Sequence, residues 1–394
     1  MDWNANLKQF LGNATDLVRK GQLADATRAI QQALGGVPLR EARAPAAPAP
    51  TPAAAPSGPS WRNGYAQADI EDATVILDRV EEGPLGAQPP QPAPAHNAEA
   101  PGSFRRVAFA RAGAPQDHYH LYVPPGASTA AGPLPLVLML HGCTQNPEDF
   151  ATGTGMNHAA ARERALVLYP AQSGQANPKA CWNWFQPQDQ RRGSGEPATL
   201  VAMVREVMAR HPVDARRVYV AGLSAGGAMA ALLAREYPDV FAAVGVHSGL
   251  AAGAAQNVMA ALSAMKTGAK PASTSPFAPV PPIVRLEQAP PLIVFHGDAD
   301  ATVHPRNGEQ LIEAALAGAP EGAVPSVSTG RSAQGQAYTR TVYQGGGATL
   351  AEHWVLHGAG HAWAGGDARG SHTDPQGISA TEAMLRFFLA HSRS

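Results

Sequence analysis

Cysteine is nearly missing: the chain holds two, Cys143 and Cys181. That rules out a disulfide-dense scaffold and a zinc site built from cysteines. Residue count alone leaves two states open for them, a pair of buried thiols or one bridge in an oxidising compartment. Charge is scarce as well, at 15% of residues with a formal net charge of −1. Such a balance excludes nucleic acid or another polyanion as the main partner. Nowhere do about 18 apolar residues run together, so no transmembrane helix is expected. Lys8, Asp16 and Arg19 interrupt the apolar positions near the N-terminus, which therefore does not read as a Sec signal peptide. No repeat of solenoid period is visible.

Proline and glycine, by contrast, are plentiful, with 36 and 40 residues among 394. Much of the proline marks domain boundaries. Residues 1–40 read as an amphipathic helical segment, with Leu7, Phe10, Leu11, Leu17, Val18, Leu23, Ala26, Ile30 and Leu34 at helical spacing. Gly35, Gly36 and Pro38 stop it. Residues 41–102 read as an Ala/Pro-rich linker, with a short structured island at 61–82. The helical segment is too short for a core of its own, so it must dock, on the large domain or on a granule or protein partner.

Residues 103–394 change character, and strands alternate with helices. Ser103–Ala110 and His118–Val123 alternate apolar and polar residues, as an antiparallel pair at a sheet edge does. Leu136–Leu140 and Leu166–Tyr169 are continuous apolar runs, expected of strands covered on both faces. A helix over 199–210, a strand and helix around Ser224, strands at 243–246, 291–295, 338–344 and 353–356, and a closing helix at 379–389 complete the rhythm. The order points to an α/β fold with a doubly wound, mostly parallel sheet and ligands at strand C-terminal ends. Residues 259–290, with Pro271, Pro276, Pro279, Pro281 and Pro282, read as an irregular insertion of the kind that forms a lid.

The chemistry is concentrated in four short stretches. Arg217–Leu223 is β-branched and aromatic; Gly222-Leu223-Ser224-Ala225-Gly226 follows, then an Ala/Leu-rich helical run. Strand, tight turn and helix in that order make a nucleophile elbow with Ser224 at its apex. His141-Gly142-Cys143-Thr144-Gln145 follows an early buried strand, where a loop lends an oxyanion-hole amide. Cys143 and Ala225 are the candidate donors, with His141 bracing the loop. His296-Gly297-Asp298-Ala299-Asp300-Ala301-Thr302-Val303 offers two carboxylates. Asp300, three residues before Val303, fits H-G-x-x-D-x-x-V, and Asp298 is assigned to bracing the turn. His361 lies in the Gly-flanked loop after the strand ending at Leu356, whereas His357, at the strand itself, reads as packed. Serine needs a base, and the base needs a carboxylate. The chain order Ser224, Asp300, His361 is that of α/β-hydrolase triads. This chemistry calls for no metal and no organic cofactor.

Leu140–Asn146, Cys181-Trp182-Asn183-Trp184-Phe185, Gly222–Met229 and Gly360-His361-Ala362-Trp363 together resemble the polyhydroxybutyrate (PHB) depolymerase family of esterases, which includes feruloyl- and acetylxylan-esterase-like members. The resemblance runs from about Phe104 onward. It implies the α/β-hydrolase fold and a serine esterase of extracellular type acting on poly(3-hydroxybutyrate), its oligomers or related esters through an acyl-enzyme. It also implies that Cys143 and Cys181 approach each other and form a bridge. Trp182 and Trp184, aromatic residues in a polar loop, and Gln145 are the expected substrate contacts. The missing signal pattern leaves the compartment open between extracellular and cytoplasmic. Two rival functions are a plant-polymer esterase on the same triad and a granule-associated scaffold whose hydrolase domain is silent.

Overall fold

The computed structural model describes residues 101–110, 117–129, 132–269, 289–317 and 323–393. The chain divides into two units, Met1–Gln88 and Pro89–Ser394; every described residue lies in the second. The expected helical segment, linker and island before residue 101 fall outside the described residues, as does 270–288 of the expected lid.

Ten strands form one sheet: β1 (Ser103–Phe109), β2 (Asp117–Val123), β3 (Leu134–Leu140), β4 (Leu166–Pro170), β5 (Val213–Leu223), β6 (Ala243–His247), β7 (Leu292–Gly297), β8 (Val324–Arg331), β9 (Ala337–Gly345) and β10 (Ala348–Leu356). Their order is β1-β2-β4-β3-β5-β6-β7-β10-β9-β8. The central run from β4 to β10 is parallel. At one edge β1 pairs antiparallel with β2, and β2 with β4. At the other, β9 pairs antiparallel with β10 and with β8. A short parallel pair, β11 (Trp363–Ala364) and β12 (Thr373–Asp374), stands apart.

Strand residues alternate between faces, and the two faces carry separate apolar cores. Leu136, Leu138, Leu140, Val218, Val220, Val244, Val246, Leu292 and Val294 share one core with α3 (Gly195–Arg210), α4 (Ala225–Glu236) and α6 (Arg306–Leu316). Val137, Met139, Tyr219, Ala221, Ile293 and Phe295 pack on the other face against α1 (Pro147–Thr154), α2 (Met156–Glu163) and α7 (Ala380–Leu389). Burial on both faces explains the unbroken apolar strands.

Helices α1, α2 and α6 and the pair β11/β12 were not expected from sequence, and three further differences have a plain physical cause. The helix expected from 199 begins at Gly195, because Pro197 sits in the first turn, where its missing N–H costs nothing. The expected irregular insertion opens with a helix, α5 (Val258–Thr267), capped by the Asn257 side chain accepting from Ala260 N. Its Ala, Met and Leu content favours helix, and the prolines all come later. β8 was not expected; most of its residues are exposed, so it lacks the alternation of a half-buried strand.

Candidate active site

Parallel register aligns the ends of the central strands: Leu223 lies opposite His247, His247 opposite Phe295, and Leu356 opposite Gly297. Ser224 is the next residue after β5, Asp300 follows β7 by a short turn, and His361 follows β10. All three therefore emerge at the C-terminal edge of one sheet.

Ser224 adopts φ 57° and ψ −119°, a region that costs a non-glycine residue about 1–3 kcal/mol. Its N–H donates to His247 O at 2.9 Å, and its carbonyl accepts from Ala228 N at 2.9 Å. Two glycines make the turn possible. A Cβ on Gly222 would lie 2.4 Å from the Gly226 backbone, and one on Gly226 would lie 2.1 Å from Leu140 O. The elbow thus presses directly on the end of β3, which brings the first amides of α4 toward the 141–145 loop.

That loop is braced at almost every polar group. Gly142 N donates to Gln145 Oε1 at 2.9 Å, and Thr144 N donates to Lys179 O at 2.7 Å. The intervening Cys143 N–H donates to no backbone carbonyl among the described residues. Ala225, first residue of α4, has no intrahelical acceptor for its N–H. His141 is buried; its Nε2 accepts from Gln172 N at 3.2 Å, so Nδ1 carries the hydrogen and donates to Gly142 O at 2.8 Å. Burial holds its pKa below the usual imidazole value.

Asp300 Oδ2 lies 2.7 Å from His361 Nδ1. Its Oδ1 accepts from Thr302 N at 2.9 Å and Val303 N at 2.8 Å. Burial alone would raise the Asp300 pKa, but hydrogen bonds from His296 and His361 and the Val303 amide hold it well below the ordinary carboxylate range. With Nδ1 of His361 donating to a carboxylate, the ring's lone pair is on Nε2, the atom a general base uses. His247 ties the serine turn to the β11 segment just after His361. Its carbonyl takes the Ser224 N–H, its Nε2 accepts from Ala364 N at 3.0 Å, and its ring stacks on Phe295 and Trp363. Enclosure there pushes its pKa down to about 3. The Ser224 hydroxyl makes no hydrogen bond to His361 among the described residues; such bonds are often long before substrate binds.

Asp298 does not compete for His361. Its carboxylate accepts from Gly358 N at 2.7 Å and pairs with His357 Nδ1 at 2.8 Å. His357, read from sequence as packed, has a side chain 43% exposed, because β10 ends one residue earlier and the ring turns outward to Asp298.

The three expected substrate contacts are placed elsewhere. Trp182 and Trp184 are buried, 3% and 5% exposed. Trp182 lies under the 141–145 loop, its indole N–H donating to His141 O at 3.0 Å. Gln145 is also buried and spends both ends of its amide on protein: Oε1 on Gly142 N at 2.9 Å, and Nε2 on Asp149 Oδ2 and Ser371 O at 3.0 Å each. A polar loop can hide its aromatics when a covalent tie folds it inward, and here Cys143 and Cys181 are joined by a disulfide. Sequence reasoning missed Glu196, whose carboxylate accepts from Gln172 Nε2, Asn183 N and Asn183 Nδ2 at 2.6–2.7 Å and anchors the Trp182 segment to α3. Burial pushes its pKa up to about 7. A glutamate in the first turn of a helix is too common to have signalled this.

A family profile described as Esterase PHB depolymerase matches residues 117–334, more than half of the chain. The chain belongs to that family. Within the range covered by curated relatives, the chain is 35% identical over 194 residues to poly(3-hydroxyalkanoate) depolymerase C of Paucimonas lemoignei. That match covers 49% of this chain and 46% of the relative, so the chain spans about half the length of that depolymerase. It is 31% identical over 266 residues to feruloyl esterase B of Neurospora crassa, covering 61% of this chain and 82% of that one. Among solved structures, an acetyl xylan esterase from Aspergillus awamori superposes with a TM-score of 0.54 at 21% identity, over 66% of this chain and 94% of that chain. That likeness shows the α/β-hydrolase fold.

Proposed function

We propose that the chain is a serine esterase that hydrolyses carboxylic esters of the 3-hydroxyalkanoate type, poly(3-hydroxybutyrate) or its oligomers, through an acyl-enzyme. The observation that carries the reading is the 2.7 Å Asp300–His361 bond at the same sheet edge as the positive-φ Ser224. His361 Nε2 takes the Ser224 proton as Oγ attacks the ester carbonyl. Negative charge on the tetrahedral oxygen is met by the Cys143 and Ala225 amides. The imidazolium, steadied by Asp300, returns the proton to the departing alcohol. Water deprotonated by His361 then attacks the acyl-Ser224 carbonyl, and the hydroxy acid leaves as serine is regenerated.

A second reading, a feruloyl- or acetylxylan-type esterase on the same residues, is favoured by the match to feruloyl esterase B over most of that relative's length. One experiment tests both. Purified protein and Ser224→Ala are assayed on short p-nitrophenyl esters, poly(3-hydroxybutyrate), ethyl ferulate and acetylated xylan. The serine variant should be inactive throughout, and hydroxybutyrate esters should be the preferred substrates. Retained activity in Ser224→Ala refutes the serine mechanism; a preference for ferulate or acetylxylan transfers the assignment to the second reading.

A further inference from the structure

Two Asp–His pairs span the same two loops. The inner pair, Asp300–His361, is largely enclosed, with 0% and 14% of its side chains exposed; the outer pair, Asp298–His357, is exposed at 41% and 43%. We propose that the outer pair is a positioning bridge: it holds the loop that carries His361 in register with the loop that carries Asp300. The inference rests on the proposed triad and assigns these two residues a role in the same reaction.

The bonding pattern supports it. Asp298 N donates to Leu356 O and Ala299 N to Ala359 O, both at 3.1 Å. The Asp298 carboxylate then takes both groups at the start of the histidine loop, the His357 ring at Oδ2 and the Gly358 amide at Oδ1. The far side of the ring is fixed too, since His357 Nε2 lies 2.8 Å from Thr339 Oγ1 on β9. With Nδ1 donating to the carboxylate, Nε2 accepts the threonine proton. The bridge therefore runs from the β7 loop through the β10 loop to β9.

The loop needs such a restraint. Between His357 and His361 lie Gly358, at φ 73°, and Gly360, around which a Cβ would meet nothing within 4 Å. Two glycines in three intervening residues give the backbone latitude. Exposed ion pairs add little to global stability, so the cost of losing this one should appear in geometry. A displacement of about 1 Å at a catalytic group costs about 10²-fold in rate, so about half that shift corresponds to about tenfold.

The test compares kcat, KM and melting temperature of the full chain with those of Asp298→Ala, His357→Ala, the double variant, Thr339→Val, Asp298→Asn and Ser224→Ala, on p-nitrophenyl butyrate. Both alanine variants should lose about tenfold in kcat, with KM within about twofold and melting shifted by no more than about 2 °C. The double variant should be no slower than the slower single, because the pair acts as a unit. Thr339→Val should lose less. Asp298→Asn, which keeps an acceptor for Gly358 N, should recover most of the rate. Parent-like kcat in both alanine variants overturns the proposal, as does a loss that appears in KM or follows melting temperature. Active Ser224→Ala would instead overturn the triad itself, so the two failures are distinguishable.

Discussion

Asp300→Asn probes the proposed relay with the least disturbance to the fold. The structure dictates how the new amide would sit. Thr302 N and Val303 N both point at Oδ1, so the asparagine oxygen must occupy that position and its NH₂ must replace Oδ2. The NH₂ then faces His361 Nδ1 at about the 2.7 Å separation seen now. Two donors cannot face each other, so His361 shifts its hydrogen to Nε2 and accepts at Nδ1. That tautomer has no lone pair for the Ser224 proton. In the Ser–His–Asp template the same replacement costs about 10⁴ in kcat, equivalent to about 5.4 kcal/mol of transition-state stabilisation. Binding of a short ester should change little, because Asp300 is buried behind the histidine. The assay is steady-state hydrolysis of p-nitrophenyl butyrate, with circular dichroism to verify the fold. Asp298→Asn serves as the contrast, since its partner is His357. A folded Asp300→Asn protein within tenfold of parent kcat, or equal losses in the two variants, would refute the tautomer argument.

Gly226→Ala should destabilise the protein by about 3 kcal/mol or more, because the new Cβ meets Leu140 O at 2.1 Å and His141 O at 2.6 Å, backbone atoms with nowhere to go; a parent-like urea midpoint would count against the tight elbow. Replacing both Cys143 and Cys181 by alanine opens a loop of sequence separation 38 and should cost about 4 kcal/mol by chain entropy. Thiol titration of the denatured, unreduced protein should find close to none free. Glu352 is a buried carboxylate whose own burial would raise its pKa, but Arg340 at 2.9 Å and Arg386 at 2.6 Å hold it below the ordinary glutamate value. A depressed folded pKa means that its contribution is complete above the ordinary glutamate value and fades as pH falls through the folded one. Melting temperature should therefore drop more steeply on acidification in the parent than in Glu352→Gln, and parallel curves would contradict this.

The residues of the proposed triad were legible because each follows an apolar strand and has glycine or alanine within two positions on both sides, a pattern that depends on local chain only. The choice of Asp300 over Asp298 came from spacing alone; in the structure Asp300 bonds His361 while Asp298 bonds His357. What sequence could not show was which way a loop faces. Trp182 looks like a ligand contact until a disulfide, a glutamate on α3 and the His141 carbonyl draw its segment inward. Gln145 has the same problem: two of its acceptors belong to Ser371, 226 positions away. The helix over 258–267 was hidden by the prolines after it, which dominated the window. Edge strand β8 was hidden because an exposed strand has no apolar alternation to read.

These long-range braces bear on catalysis as well as on folding. An oxyanion donor is effective when its direction is set before charge develops and no competing acceptor has to be surrendered. Around Cys143 the neighbouring amides are already committed, Gly142 N to Gln145 and Thr144 N to Lys179 O, while Cys143 itself is tied through sulfur. The peptide group at Cys143 is therefore held from both sides with its own N–H uncommitted to any backbone carbonyl among the described residues. Ser224 is the counterpart on the elbow: its backbone strain persists because Gly222, Gly226 and Leu140 leave no room for relaxation. On this view, the strain belongs to the backbone and not to the hydroxyl. Ser224→Ala should then remove the chemistry and leave the unfolding midpoint close to that of the parent, because the strained turn and its packing survive the loss of one oxygen.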